Sequence, residues 1–191
     1  MHPAVAGRLV LLRHAPTAAT RAFAFPADEE LDERGRAAAA ELRLSIPAGH
    51  DVLRGPAMRC AQTAEAAGLG PATVDARLAE CGFGAWEGRT LEAVSAEDAD
   101  GVGAWMRDPA ATPHGGESLA TFAQRVGGWL DEQAGLDGSA VAITHGGVVK
   151  AAVVHALGAS LESFWRIDAS PLAVTELHAH AGRWTVAKVN A

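Results

Sequence analysis

The sequence predicts a layered α/β fold built on a mixed sheet. Three observations carry that expectation. Short apolar runs of strand length alternate with stretches of helical periodicity, helices twice follow a strand through a tight turn, and the chain finishes in two strand-like runs around a turn.

The elements follow in order. Gly7 to Leu12 is an apolar run ending in Arg13-His14-Ala15-Pro16, a buried strand stopped by the backbone restriction that Pro16 places on its neighbour. A polar, proline-containing stretch from Thr17 to Leu31 leads to Asp32, which is placed to cap an alanine-rich helix reaching Leu44. Asp51-Val52-Leu53 reads as a brief strand, Arg54-Gly55-Pro56 as a turn, and Ala57 to Ala67 as a helix closed by Gly68, with Arg59 in its first turn. Residues 78–90 are irregular and glycine-rich, and 91–107 hold one or two short helical pieces. This middle region, residues 76–117, reads as a cap-like insertion over one end of the sheet within a single domain spanning 1–191.

From Ser118 to Gln133 the spacing of Leu119, Phe122, Val126, Trp129 and Leu130 makes one apolar stripe, a core-facing helix. Ser139 to Thr144 is a second buried strand, His145-Gly146-Gly147 a turn, and Val148 to Leu157 a helix ended by Gly158. Pro171 to His178 and Arg183 to Val189 pair as a hairpin around Ala181-Gly182.

At 191 residues, 49% hydrophobic and 20% charged, the chain suffices for one core without metals or disulfides. A net charge of −7 argues against nucleic acid and against an anionic membrane surface, so an anionic substrate must meet a local positive pocket. The aliphatic run Leu9 to Leu12 is too short for a signal core or a membrane span, and a cytoplasmic location is expected. Cys60 and Cys81 fit no zinc spacing and are expected to be free thiols. His178 and His180 share one side of a strand but lack a third ligand, so no metal site is expected.

In open α/β sheets ligands gather beyond the carboxyl ends of the strands, and three such ends carry matching chemistry. The first delivers Arg13 and His14, the second leads to Arg59, and the late strand delivers His145 before two glycines. Guanidinium forks and helix N-termini suit phosphate oxygens, and a phosphoryl-transfer transition state spreads charge that Arg13, Arg59 and His145 could neutralise. The sequence has no Walker-type loop, no paired aspartates for two metals and no Cys-x5-Arg loop, which leaves the imidazole of His14 as the best nucleophile. A departing alkoxide needs a proton, and Glu80, Glu87 and Glu117 all qualify by position.

These residues resemble the histidine phosphatase superfamily, in the branch that includes phosphoglycerate mutases and small bacterial phosphatases such as α-ribazole phosphatase. Leu12-Arg13-His14-Ala15-Pro16-Thr17 is similar to the family's Arg-His-Gly-x-Thr, and Gly55-Pro56-Ala57-Met58-Arg59-Cys60-Ala61-Gln62-Thr63-Ala64 to its Ser-Pro-x-x-Arg-Ala-x-Gln-Thr-Ala. Leu78-Ala79-Glu80 through Trp86-Glu87-Gly88, Gly115-Gly116-Glu117-Ser118 and Thr144-His145-Gly146-Gly147 match further segments.

The resemblance implies a phosphoglycerate mutase-like three-layer α/β/α sandwich with a mostly parallel mixed sheet. It implies a metal- and cofactor-independent phosphatase acting on a small phosphomonoester, and it leaves a homodimer open. By this likeness His14 becomes phosphohistidine, Arg13, Arg59, His145 and Thr17 hold phosphate, and Glu80 is the acid and then the base. A mutase-like phosphotransferase and a non-catalytic phosphate- or phosphoprotein-binding module are the alternatives. The mutases of the resemblance carry longer active-site insertions, and the full set of site residues speaks against the module. Ala15 stands where the family usually has glycine, Thr20 where many members have asparagine, and Arg54-Gly55 where a serine pair is common.

Overall fold

The computed structural model describes residues 7–46, 49–135 and 138–191. The chain runs β1 (Gly7–Arg13), α1 (Ala18–Arg21), α2 (Glu33–Glu41), β2 (Asp51–Arg54), α3 (Met58–Ala66), β3 (Thr73–Val74), α4 (Leu91–Glu97), α5 (Ala99–Arg107), α6 (Leu119–Ala134), β4 (Ser139–Thr144), α7 (Gly146–Leu157), β5 (Val174–His180) and β6 (Arg183–Lys188). Short 3-10 turns at Ala76–Leu78, Gly84–Trp86 and Leu161–Arg166 complete it.

The sheet order is β3-β2-β4-β1-β5-β6. The pairs β2·β3, β2·β4 and β1·β4 are parallel, whereas β1·β5 and β5·β6 are antiparallel, so the terminal hairpin makes the sheet mixed. Alternation along β1 divides the core. Leu9 and Leu11 join Phe122, Trp129, Leu130 and Val149 on one face, while Val10 and Leu12 join Cys60, Ala64, Val141 and Ile143 on the other. A strand buried on both faces needs a continuous apolar run, and each such side chain contributes about 1.5–3 kcal/mol on burial.

Local chemistry accounts for most element ends. The Asp32 carboxylate accepts from the Gly35 N–H and starts α2, and Ser118 does the same for α6 through the Thr121 N–H. The helix expected to reach Leu44 ends at Glu41, where Leu42 turns to extended backbone and packs its side chain under the sheet with Leu44 and Ile46. Burial of those apolar side chains overrides the helical run. Gly158, at φ +60°, closes α7 in the left-handed conformation that glycine tolerates. Ala181 and Gly182, both at positive φ, form the two-residue hairpin turn.

On β5, the buried Glu176 carboxylate accepts from Arg8 Nε at 2.7 Å, Arg8 Nη2 at 3.0 Å and His178 Nε2 at 2.7 Å. His178 is thereby committed to a structural pair. Among the described residues no three metal-ligating side chains come together, and no helix is long and apolar enough to cross a membrane.

Candidate active site

Parallel register brings the two histidines side by side. Arg13 pairs with Thr144 across β1 and β4, so the next residue of each strand, His14 and His145, leaves the sheet at the same level. Their rings meet edge to face with centroids 5.2 Å apart. His145 is the N-cap of α7, which begins at Gly146 and not at Val148 as the sequence suggested. The poor helix propensity of two glycines hid the first turn, which the strand-end geometry nonetheless enforces.

Arg59, in the first turn of α3, joins the two rings. Its Nε donates to His14 Nε2 at 3.3 Å and its Nη2 donates to His145 Nδ1 at 3.2 Å. All three side chains are almost completely buried. His14 Nδ1 donates to the Ala15 carbonyl at 2.8 Å, which fixes the tautomer and leaves the Nε2 lone pair facing the guanidinium. Burial and then the Arg59 charge push the His14 pKa down to about 3, and burial together with His14 and Arg59 holds His145 well below its ordinary value. Both imidazoles are therefore neutral near pH 7.

The supporting contacts explain why α3 carries glutamine and threonine after Arg59. Thr63 Oγ1 accepts from the Ala15 N–H at 3.0 Å and donates to the Arg59 carbonyl, and Gln62 Oε1 accepts from the Leu31 N–H. Ala15 adopts no positive φ, and its methyl packs with Leu31 and Ala39, so this departure from glycine is absorbed without strain. Gly55 has a steric reason: a Cβ there would stand 2.7 Å from the Leu78 carbonyl and 3.3 Å from His145 Nε2. Thr17 and Thr20 form a capping box on α1, and the Thr17 hydroxyl donates to Glu29. Thr17 is thereby engaged within its own turn and with Glu29. Glu29 in turn stands 3.6 Å from Arg59 Nη1, which also donates to the Ala27 carbonyl at 2.5 Å.

Of the three carboxylates left open, each has a distinct surrounding. Glu80 Oε2 accepts from the Gly147 N–H at 3.2 Å, and Oε1 accepts from the Cys81 N–H at 3.0 Å. It shares a cavity of about 290 Å³ with Arg59, His145, Ala27 and Glu87. Glu117 instead makes a two-point pair with Arg125, at 2.7 and 3.0 Å. Arg125 also donates to the carbonyls of Arg77, Ala79 and Glu80, so it braces the segment that carries Glu80. Glu87 is exposed at the cavity rim. Trp86 does not line the cavity; it is buried with Phe25, Val94 and Val102. Burial pushes both thiols up to about 12, and Cys60 packs with its sulfur 3.5 Å from His145 Nε2.

Arg13 takes a different direction from His14. Its Nη1 donates to the Ala169 carbonyl at 2.5 Å, its guanidinium lies against Gly146, and its buried Nε has no protein partner among the described residues.

Two predictions arise here. A Cβ at Gly147 would overlap Glu80 Oε1 and come within 3.2 Å of the Phe122 ring. Gly147→Ala is expected to displace Glu80 and lower kcat by about tenfold to a hundredfold, the range of a misplaced acid–base group, in steady-state kinetics.

The second concerns acid stability. Unfolded histidines bind protons below about pH 6.5 while folded His14 and His145 do not, so stability falls with pH by about 1.4 kcal/mol per unit per histidine. For His14 this window runs from about 6.5 down to about 3. Hydrogen bonds from Arg8 and then His178 lower the Glu176 pKa from 4.5 to about 2, so its stabilising effect is complete above 4.5 and lost as the pH falls toward 2. Melting temperatures should drop from pH 6.5 downward. In Glu176→Gln the decline above pH 4.5 should persist while the additional decline below it disappears.

With this geometry in place, comparison with known proteins is informative. The family model described as histidine phosphatase superfamily (branch 1) matches residues 9–191. Phosphoserine phosphatase 1 of Hydrogenobacter thermophilus is 27% identical over 194 residues, covering 96% of this chain and 92% of that protein. A solved mycobacterial glucosyl-3-phosphoglycerate phosphatase superposes with a TM-score of 0.80 at 29% identity, covering 96% of this chain and 98% of the other. An α-ribazole phosphatase from Shigella flexneri shares the fold, with a TM-score of 0.79 at 24% identity over 96% of each chain.

Proposed function

This chain belongs to the histidine phosphatase superfamily, branch 1, and from that membership we propose a metal-independent phosphomonoesterase working through phosphohistidine on His14. The observation that carries the reading is the state of His14: a buried, neutral imidazole with Nδ1–H tied to the Ala15 carbonyl and Nε2 directed at Arg59. Such a ring carries one lone pair at neutral pH, and in this reading Arg59 turns its Nε from that lone pair to a phosphoryl oxygen as His14 attacks. The names of its relatives support a small phosphorylated substrate, and the unbridged Cys60 and Cys81 support work in the cytoplasm.

The reaction divides into two steps. His14 Nε2 attacks phosphorus, the ester P–O bond breaks, and the departing oxygen takes a proton from the Glu80 carboxylic acid. The phosphoryl oxygens draw on Arg59 and His145, with Arg13 and the first turn of α7 on the other side. Glu80, now a carboxylate, accepts a proton from water as that water attacks phosphorus. The N–P bond breaks, its electron pair returns to Nε2, and inorganic phosphate leaves. Thr17 supports a positioning part in this scheme, through Glu29 to Arg59.

Incubation with radiolabelled aryl phosphate in chelator, followed by alkaline quench, tests the proposal. Steady phosphate release with a base-stable, acid-labile label on the protein is expected. Phosphate binding without turnover would mark a binding module instead, and dependence on a bisphosphate primer would mark a mutase.

A further inference from the structure

Glu80 also borders a second cavity, of about 220 Å³, lined by Arg13, Gly147, Lys150 and Asp168 with an aromatic wall. The wall joins distant parts of the chain. Trp105 of α5 meets Trp165 edge to face at 4.7 Å, Trp165 meets Phe164 at 5.1 Å, and Phe83 closes on Trp105 at 6.0 Å. Glu80 and Cys81 border both cavities, so a group bound here would be next to the proton donor.

Lys150 is the anomaly in this wall. It is the one lysine or arginine on α7, whose other inward positions are glycine, alanine and valine, and it is half-buried. Its ammonium stands over the Phe164 ring, 5.4 Å from the centroid. Among the described residues it makes no hydrogen bond or ion pair, and burial lowers its pKa against the opposing pull of the nearby Asp168 and Glu80 charges. The two carboxylates that share the cavity are already engaged. Asp168 accepts from the Ala169 N–H, the Ser170 hydroxyl and the Asn190 amide, and Glu80 accepts from Gly147 and Cys81. A half-buried ammonium with unused donors, facing a small cavity, is built to receive an anion.

Resting on the phosphatase reading above, we propose that this cavity is the leaving-group subsite and that Lys150 recognises a carboxylate on the alcohol part of the substrate. The aromatic wall takes the apolar body of that alcohol, and Lys150 fixes its acidic end while Arg13 and Arg59 serve the phosphoryl group. The substrate class is then a phosphate ester of a hydroxy acid, distinguished from neutral phosphate esters by one charge at the end remote from phosphorus.

The test uses 3- and 4-carboxyphenyl phosphate against the matching carboxamides, which have nearly the same shape without the charge. In the intact protein kcat/KM is expected to favour at least one carboxylate by about tenfold, the scale of one charge-assisted hydrogen bond in a partly buried site. Lys150→Met and Lys150→Gln should each bring that preference close to parity. Comparing the ratio across variants cancels the intrinsic reactivity of each leaving group, and a general loss of folding would lower both substrates equally. An unchanged ratio in both variants, or no preference in the intact protein, overturns the proposal. Should no ester turn over, the phosphatase reading fails separately, and calorimetric binding of the same esters still decides the subsite: equal affinity for carboxylate and carboxamide rejects it.

Discussion

Replacing His14 by alanine is expected to reduce phosphate release by on the order of 10⁴-fold or more, the scale seen when an enzyme loses a nucleophile that acts as part of a unit. The reason lies in how little else in the site can attack. Cys60 is a buried thiol pushed up to about 12, and the Arg59 guanidinium is not a nucleophile. His145, whose Nδ1 accepts from Arg59 and whose Nε2 lies 3.5 Å from the Cys60 sulfur, serves the phosphoryl oxygens in this reading and is not the attacking group. The base-stable label should vanish with the activity. Phosphate affinity should fall far less, because Arg13, Arg59 and the α7 N-terminus remain. Retained label in His14→Ala would move the nucleophile elsewhere.

Glu80→Gln should slow the reaction by about 10² to 10⁴, the range for a general acid–base group, and should do so unequally across substrates. An ester with a good leaving group, such as 4-nitrophenyl phosphate, needs no proton in the first step. The second step still needs a base for water. Phosphoenzyme should therefore accumulate, and rapid mixing should show a burst of nitrophenolate near one equivalent before slow turnover. The glutamine keeps one carbonyl oxygen for the Gly147 or Cys81 N–H, which limits the damage to the proton transfer itself. The same experiment on Glu87→Gln serves as the contrast. A burst there, and none in Glu80→Gln, would transfer the role to the rim carboxylate.

The sheet and the histidine–arginine cluster were legible because they follow from patterns a linear sequence carries. Apolar runs end in Arg13-His14 and in Thr144-His145, and Arg59 falls where a turn fixes the start of a helix. What was not legible acts across space. Arg125 reads as one more charge on a helix surface, and only the fold turns it toward the carbonyls of Arg77, Ala79 and Glu80. Glu29 sits in a segment without periodicity, yet that segment is what closes on Arg59. Lys150 is the one lysine in an otherwise largely apolar helix, unremarkable until the aromatic residues facing it are known. The strand β3 has two exposed residues, too few to show alternation, and it exists because β2 offers it an edge. The four-residue α1 reads as loop in the sequence because its capping box is built from two threonines, Thr17 and Thr20, residues equally at home in turns.

The register of β1 against β4 has a further consequence. His14 and His145 lie far apart in the sequence and become neighbours only when those two strands pair in one alignment, Arg13 against Thr144. A slip of one residue would send one of the imidazoles through the sheet to its other face. During refolding, activity should therefore return no earlier than the central pair of strands. For an assembly of such long sequence separation, the regain of turnover becomes a clock for the slowest part of folding.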